Sequence, residues 1–168
     1  TKSERSLTTT RDGEIWIRGP QMMKVYLNRP VATNESITKE GWYRTGDIGY
    51  VDEEGFFYAV DRIKELIKYK GMQVAPAELE ALLLTHPSVS DVAVIPVTDE
   101  AAGGLPKAIV VMKSGLTLTA EDIMSFVAEE VAPHKKIRLV EFVEKIPKSA
   151  SGKILRRVLI QKEREKQN

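Results

Sequence analysis

The chain has 168 residues, 42% apolar and 29% charged, with 25 Lys+Arg against 24 Asp+Glu and a net charge of +1. That balance excludes a disordered or collagen-like chain and the bulk positive field of a general nucleic-acid binder. There is no cysteine and only two histidines, His86 and His134. Disulfide scaffolds, thiolate metal sites, thiol nucleophiles and multi-histidine centres are therefore excluded. No apolar run approaches the ~20 residues of a membrane span. The polar start TKSERSLTTT is unlike a signal peptide and begins with Thr rather than Met, as a piece of a longer chain would.

Taken in chain order, residues 1–60 carry short β patterns and turn residues. Glu14–Arg18 reads as a strand closed by Gly19-Pro20. Asp47–Val51 and Phe56–Val60 read as a hairpin, with Gly55 at the position that tolerates positive φ. Residues 61–168 alternate helices and strands. Leu66–Lys70 is a short mixed segment ending at Gly71. Pro76 opens a helix with Leu79, Leu82, Leu83 and His86 on one face, His86 packing or capping at its end, and Pro87 stopping it. Val89–Val97 and Ala108–Met112 read as buried strands. Thr119 and Asp122 form a capping-box pattern opening a helix whose inner face is Ile123, Phe126, Val127 and Val131. Val140–Val143 is a third strand. Ser151 is expected to cap a last helix that turns Ile154, Leu155, Val158 and Leu159 inward. The expected fold class is α+β: a small C-terminal domain (61–168) with a three-stranded sheet and helices, preceded by a β-rich segment (1–60).

Four features could carry chemistry. Asp47 follows Gly46 at a strand entrance, where a carboxylate can accept bonds from a ribose diol; spacing alone favours a turn aspartate. Arg62, Lys64, Lys68 and Lys70 make a basic patch with Glu65 as the one acid within it, suited to phosphate, although a charge run is usually a solvated face. Pro147–Lys153 is reminiscent of a phosphate loop but fails the Walker pattern, with Pro147 where Gly is needed and Ile154 where Ser or Thr is needed. A flexible surface lysine accounts for Lys153 equally well. From Lys135 to Lys166 there are 11 Lys/Arg against 4 Glu, read as a solvated helix face.

Together, the segments GEIWIRGPQMMKVYLNRP, GWYRTGDIGYVDEEGFFYAVDRIKELIKYKGMQVAPAELEALLLTHPSVSDVAVIPV and PKSASGKILRR resemble the adenylate-forming superfamily of acyl-CoA synthetases. The resemblance runs from about Gly13 to Leu159 and is nearest to 4-coumarate:CoA ligases, with firefly luciferase in the same branch. It implies that a carboxylic acid attacks the α-phosphate of ATP, bound with Mg2+, and that coenzyme A then takes the acyl group from the adenylate. It further implies a large N-terminal domain in cis, absent from this chain, that holds the phosphate loop, the acyl pocket and most of the metal-bound ATP. Residues 1–60 would end that domain, and 61–168 would be a mobile lid.

Carried over by position, Asp47 and Arg62 would hold the ribose and Lys64 would be the hinge. Lys68 and Gln73 would face the site during thioester formation, with Gln73 also touching the nucleotide. Lys70 and Gly71 would contact CoA, and Lys153 would bridge the carboxylate and the α-phosphate. Val25 departs from the Gly usual in the family. The alternatives are a luciferase-like adenylating oxygenase and a non-catalytic anion- or protein-binding module that keeps the lid fold. Isolated, the fragment is expected to be inactive, with Trp16 and Phe56 exposed. The end Lys166-Gln167-Asn168 is not an SKL-type address, which points to the cytoplasm, with no nucleic-acid partner.

Overall fold

A computed structural model describes residues 11–167. The chain divides into two units, the first ending at Lys64 and the second beginning at Glu65. The expected junction after Val60 falls inside a strand that runs on to Arg62, so Asp61 and Arg62 stay with the first unit.

The first unit comprises β1 (Gly13–Ile17), α1 (Pro30–Ser36), β2 (Tyr43–Val51) and β3 (Phe57–Arg62). Its sheet is antiparallel in the order β1-β2-β3. The β2–β3 turn forms as its residues dictate. Asp52 Oδ1 accepts the N–H groups of Glu54 (3.0 Å) and Phe56 (2.8 Å), and Gly55 takes φ +89. Helix α1 has no periodic apolar stripe to announce it; Pro30 at its first turn pre-sets φ. Gly49 is a packing requirement of β2, because a Cβ there would run into the carbonyl oxygen of Tyr58 on β3. Val25 needs no glycine, since φ is positive there for neither it nor its neighbours. No large apolar side chain of this unit is buried among the described residues. Phe56, Phe57 and Leu27 are 61%, 71% and 85% exposed, whereas Trp16, expected to be exposed, is half-buried under the Arg44 guanidinium.

The second unit contains β4 (Ile67–Tyr69), β5 (Met72–Val74), α2 (Pro76–Leu84), β6 (Val89–Asp99), β7 (Gly103–Met112), α3 (Ala120–Glu130), a 3-10 turn at Pro133–Lys135, β8 (Leu139–Phe142) and α4 (Arg156–Gln167). The three strands legible in the sequence are β6, β7 and β8. The β4–β5 hairpin extends them to a five-stranded sheet, joining β7 through Tyr69 opposite Gly103. β6 and β7 are antiparallel, while β8 runs parallel to β7 after the α3 crossover.

The continuous apolar run of β6 follows from burial on both faces. Val92 and Val94 point with Val110 into one core, beneath Leu79 and Leu83 of α2 and Ile123 and Val127 of α3. Ala93 and Ile95, one residue out of phase, point with Ile109 to a second core under Leu159 of α4. Each fully buried aliphatic side chain contributes roughly 1.5–3 kcal/mol.

The Thr119 capping box forms as expected, with Asp122 N–H donating to Thr119 Oγ1 and Asp122 Oδ2 accepting the Thr119 N–H. His86 packs edge-on against Phe126, and its Nδ1 accepts the Ser88 N–H. The last helix departs from expectation. It begins at Arg156, five residues beyond Ser151, whose hydroxyl lies 2.9 Å from Ser149 Oγ instead. Gly152 adopts φ +79 and Ile154 bridges back to Lys148, which closes a tight turn where a helix start was expected. Leu159 is buried and Ile154 half-buried, but Leu155 and Val158 are each 39% exposed.

Candidate functional site

In the first unit, Asp47 and Arg62 stand opposite each other across β2 and β3, with Arg62 Nε 3.0 Å from Asp47 Oδ1. The approach to Asp47 is built locally. Gly46 takes φ +73 and donates its N–H to Glu14 Oε1 (3.1 Å). Thr45 Oγ1 accepts the Asp47 N–H (3.0 Å) while donating to the Ile15 carbonyl (2.7 Å). The carboxylate is thus held at the strand entrance with one edge on the guanidinium and about a third of its surface open. Such a pair presents an acceptor and donors to one ligand, which suits a diol. Nearby, the Tyr26 hydroxyl, 3.2 Å from that of Tyr43, pushes the Tyr43 phenol above its ordinary range.

Lys64 is exposed and is the last residue of the first unit. In the second unit, Lys68 and Gln73 pair directly across the β4–β5 hairpin, and both are exposed. Lys70 and Gly71 are the two turn residues, with φ +49 and +80. Two positive φ values in a two-residue loop define the turn whose twist matches a hairpin. A Cβ on Gly71 would meet nothing within 4 Å, so the space over the turn is open. Lys70 donates its N–H to the Ala102 carbonyl (2.8 Å), and its ammonium lies 5.6 Å from the Tyr69 ring centroid.

Lys153 lies in the turn before α4. Gly152 N–H donates to the Ser149 carbonyl, Ser149 N–H donates to the Lys153 carbonyl, and Lys153 N–H donates to Ser149 Oγ (3.2 Å). The side chain is exposed and forms no ion pair among the described residues. The structure therefore gathers the expected residues into three places: the Asp47–Arg62 pair, the hairpin with Lys68, Lys70, Gly71 and Gln73, and the Lys153 turn.

The basic segments are not uniformly solvated. Arg156, in the run read as a solvated face, is largely covered. It places NH1 2.6 Å from Glu65 Oε2 and NH2 2.6 Å from Glu80 Oε2. Glu80 is buried and also accepts the Val94 N–H (2.8 Å). On the same side of the sheet as α4, buried Lys107 binds Glu163 (2.6 Å) and Glu141 (2.7 Å). Burial opposes charging of Lys107, but the two carboxylates outweigh it and raise its pKa. Lys107 together with Lys166 lowers that of Glu141. Lys148 is tied to Asp91 (2.7 Å) and Lys135 to Glu78 (2.7 Å). These partners are far apart in sequence, and only the charges themselves were available as a signal. Among the described residues, no cluster of three acidic or histidine side chains could hold a metal ion. No helix among them is long and apolar enough to cross a membrane.

Residues 78–153 match the family described as the AMP-binding enzyme C-terminal domain. With both sheets and the site turns in the order described, the chain has the α+β fold of the C-terminal portion of adenylate-forming enzymes. It is 57% identical over 158 residues to a protein of Oryza sativa subsp. japonica named 4-coumarate--CoA ligase-like 4, covering 94% of this chain and 29% of that protein. It is 59% identical over 148 residues to the peroxisomal OPC-8:0-CoA ligase 1 of Arabidopsis thaliana, covering 88% of this chain and 27% of that one. It superposes on ATP-bound MatB from Rhodopseudomonas palustris with a TM-score of 0.90 at 28% identity, over 96% of this chain and 32% of that one. The chain thus spans less than a third of the length of the relatives it matches.

Proposed function

We propose that this chain is the C-terminal part of an acid:CoA ligase of the 4-coumarate:CoA ligase type. The first unit would be the end of a larger domain, a reading supported by the lack of a buried large apolar side chain among its described residues. The second unit would be the lid. In the first half-reaction a carboxylate oxygen attacks the α-phosphorus of metal-bound ATP and pyrophosphate leaves. In the second, the CoA sulfur attacks the acyl carbon and AMP leaves.

Asp47 and Arg62 would grip the ribose hydroxyls, with Gln73 beside the nucleotide. Lys68 would face the thioester step, and Lys70 and Gly71 would border the path of CoA. Lys64, at the junction of the units, would be the pivot. Lys153 would place its ammonium between the carboxylate and the α-phosphate, where negative charge builds in the transition state.

One observation carries this reading: the Lys153 ammonium is exposed on a tightly bonded turn, while Lys148, on the other arm of the same turn, is neutralised by Asp91. A cation held free on a rigid support is suited to a developing anion. The relatives named above are ligases, and no observation favours luciferase-like oxygenation or a module without catalysis.

The test uses the full-length enzyme containing this chain, with hydroxycinnamic and fatty acids as substrates. Lys153→Ala should lower acid-dependent ATP–pyrophosphate exchange by ~10²–10³-fold, the scale of losing one transition-state donor. Thioester formation from supplied acyl-adenylate and CoA should change by no more than a few-fold. Equal losses in both half-reactions would remove Lys153 from the role.

A further inference from the structure

We infer that Arg156 and Glu65 are positioning residues that lock the Lys153 turn to the start of the second unit. Glu65 is the first residue of that unit, directly after the junction at Lys64. Arg156 is the first residue of α4, three residues beyond Lys153. Its guanidinium spans two carboxylates 91 and 76 residues away in sequence, Glu65 Oε2 at 2.6 Å and both oxygens of Glu80 at 2.6 and 2.7 Å. Glu80 is anchored in turn, because its Oε1 accepts the Val94 N–H of β6 at 2.8 Å. The chain leaving the junction, the core strand β6 and the root of the Lys153 turn are therefore fastened at one planar cation.

The physical consequence concerns where motion is absorbed. If Glu65 were loose, a backbone rotation at the junction could be taken up by Glu65 and Leu66, before the sheet begins at Ile67. With Glu65 held on Arg156, the rigid part of the second unit starts directly after Lys64, and the Lys153 turn belongs to it. The planar Arg fork fixes the direction of its bonds to Glu65 and to both oxygens of Glu80; a lysine in its place is a point charge on a flexible stem. Glu65 is more open to solvent than Glu80, with 35% against 11% of its side chain exposed, so the two halves of the clamp can be separated by mutation.

The catalytic part of this inference rests on the ligase reading, whereas the mechanical part does not. The experiment therefore carries two readouts on the full-length enzyme, using Glu65→Gln, which leaves the Arg156–Glu80 pair in place, and Arg156→Lys. The first readout is amide hydrogen exchange. Both variants should speed exchange about tenfold or more at Gly152, Lys153 and Leu155, with β6 unchanged, as expected of local rather than global opening. The second is the half-reaction split. Pyrophosphate exchange should fall about 10- to 100-fold in kcat with little change in the KM for ATP, the scale of a small misplacement of a reacting group. Thioester formation from supplied adenylate should stay within about twofold.

Combining Glu65→Gln with Lys153→Ala should add nothing further to the loss, since the clamp acts through Lys153. Unchanged exchange at the turn, or equal losses in both half-reactions, would overturn the inference. A wild-type enzyme that catalyses neither half-reaction would overturn the ligase reading instead, and amide exchange would still decide whether the clamp positions the turn.

Discussion

Gly71 has two candidate reasons for being glycine, and they separate experimentally. The first is conformational. The residue sits at φ +80 in a two-residue hairpin turn, a region that costs most L-residues about 1–2 kcal/mol. The second is spatial, because nothing beyond its chain neighbours lies within 4 Å of where its Cβ would be. Gly71→Ala tests mainly the first. Its methyl meets no neighbour, so the expected loss is the backbone strain alone, about 1 kcal/mol in urea unfolding. Gly71→Asn tests mainly the second. Asparagine tolerates the left-handed region, so the expected destabilisation stays below about 1 kcal/mol.

Its amide, however, projects into the open space over the turn, through which the ligase reading passes CoA. Obstruction equivalent to about 1.4 kcal/mol would raise the KM for CoA about tenfold. The assay is thioester formation from supplied acyl-adenylate at varied CoA, with pyrophosphate exchange followed in parallel and expected to be unchanged. A Gly71→Asn enzyme with wild-type KM for CoA would refute the spatial argument. The glycine would then be explained by its φ alone, and the hairpin would lose its place beside CoA.

Other outcomes follow from the same physics. Gly49→Ala drives a methyl into the Tyr58 carbonyl across β2 and β3, and overpacking of this kind costs about 1–3 kcal/mol. Both tryptophans, Trp16 and Trp42, lie in the first unit, so their fluorescence should report an earlier urea transition there, and an unshifted midpoint would show that the strands part freely. The Lys107–Glu141 contact makes stability depend on pH in a defined direction. Glu141 is held below its ordinary value of 4.5, so its contribution is present above pH 4.5 and is lost as pH falls through the lowered value. Lys107 is held above 10.5, so its contribution is complete below pH 10.5 and is lost as pH rises through the raised value. Glu141→Gln should flatten the acid limb of a stability–pH curve, and an acid limb identical to wild type would remove Glu141 from the balance.

The sequence by itself determined whatever depends on neighbours within a few residues. Thr119 with Asp122 and the Asp52–Gly55 turn satisfy backbone groups close by, Pro76 pre-sets φ at a first turn where its missing N–H costs nothing, and each forms as its spacing requires. The Val/Ile runs of β6 and β7 declare two-sided burial in the same local way. The chemistry-bearing positions were legible only because Asp47, Arg62, Lys68, Gly71 and Lys153 resemble a family pattern; as isolated residues they read as turn and surface groups. Tertiary structure alone decided the rest. It brought Glu65 and Glu80 to Arg156 across 91 and 76 residues, and it drew Lys107, Glu141 and Glu163 into one cluster. It also moved the start of α4 from Ser151 to Arg156, because the positive φ of Gly152 and the Lys148–Ile154 bridge close a turn there first. Charges carry no periodicity that names a distant partner, so which cations stay free and which are neutralised is settled only when the sheet and helices close around them.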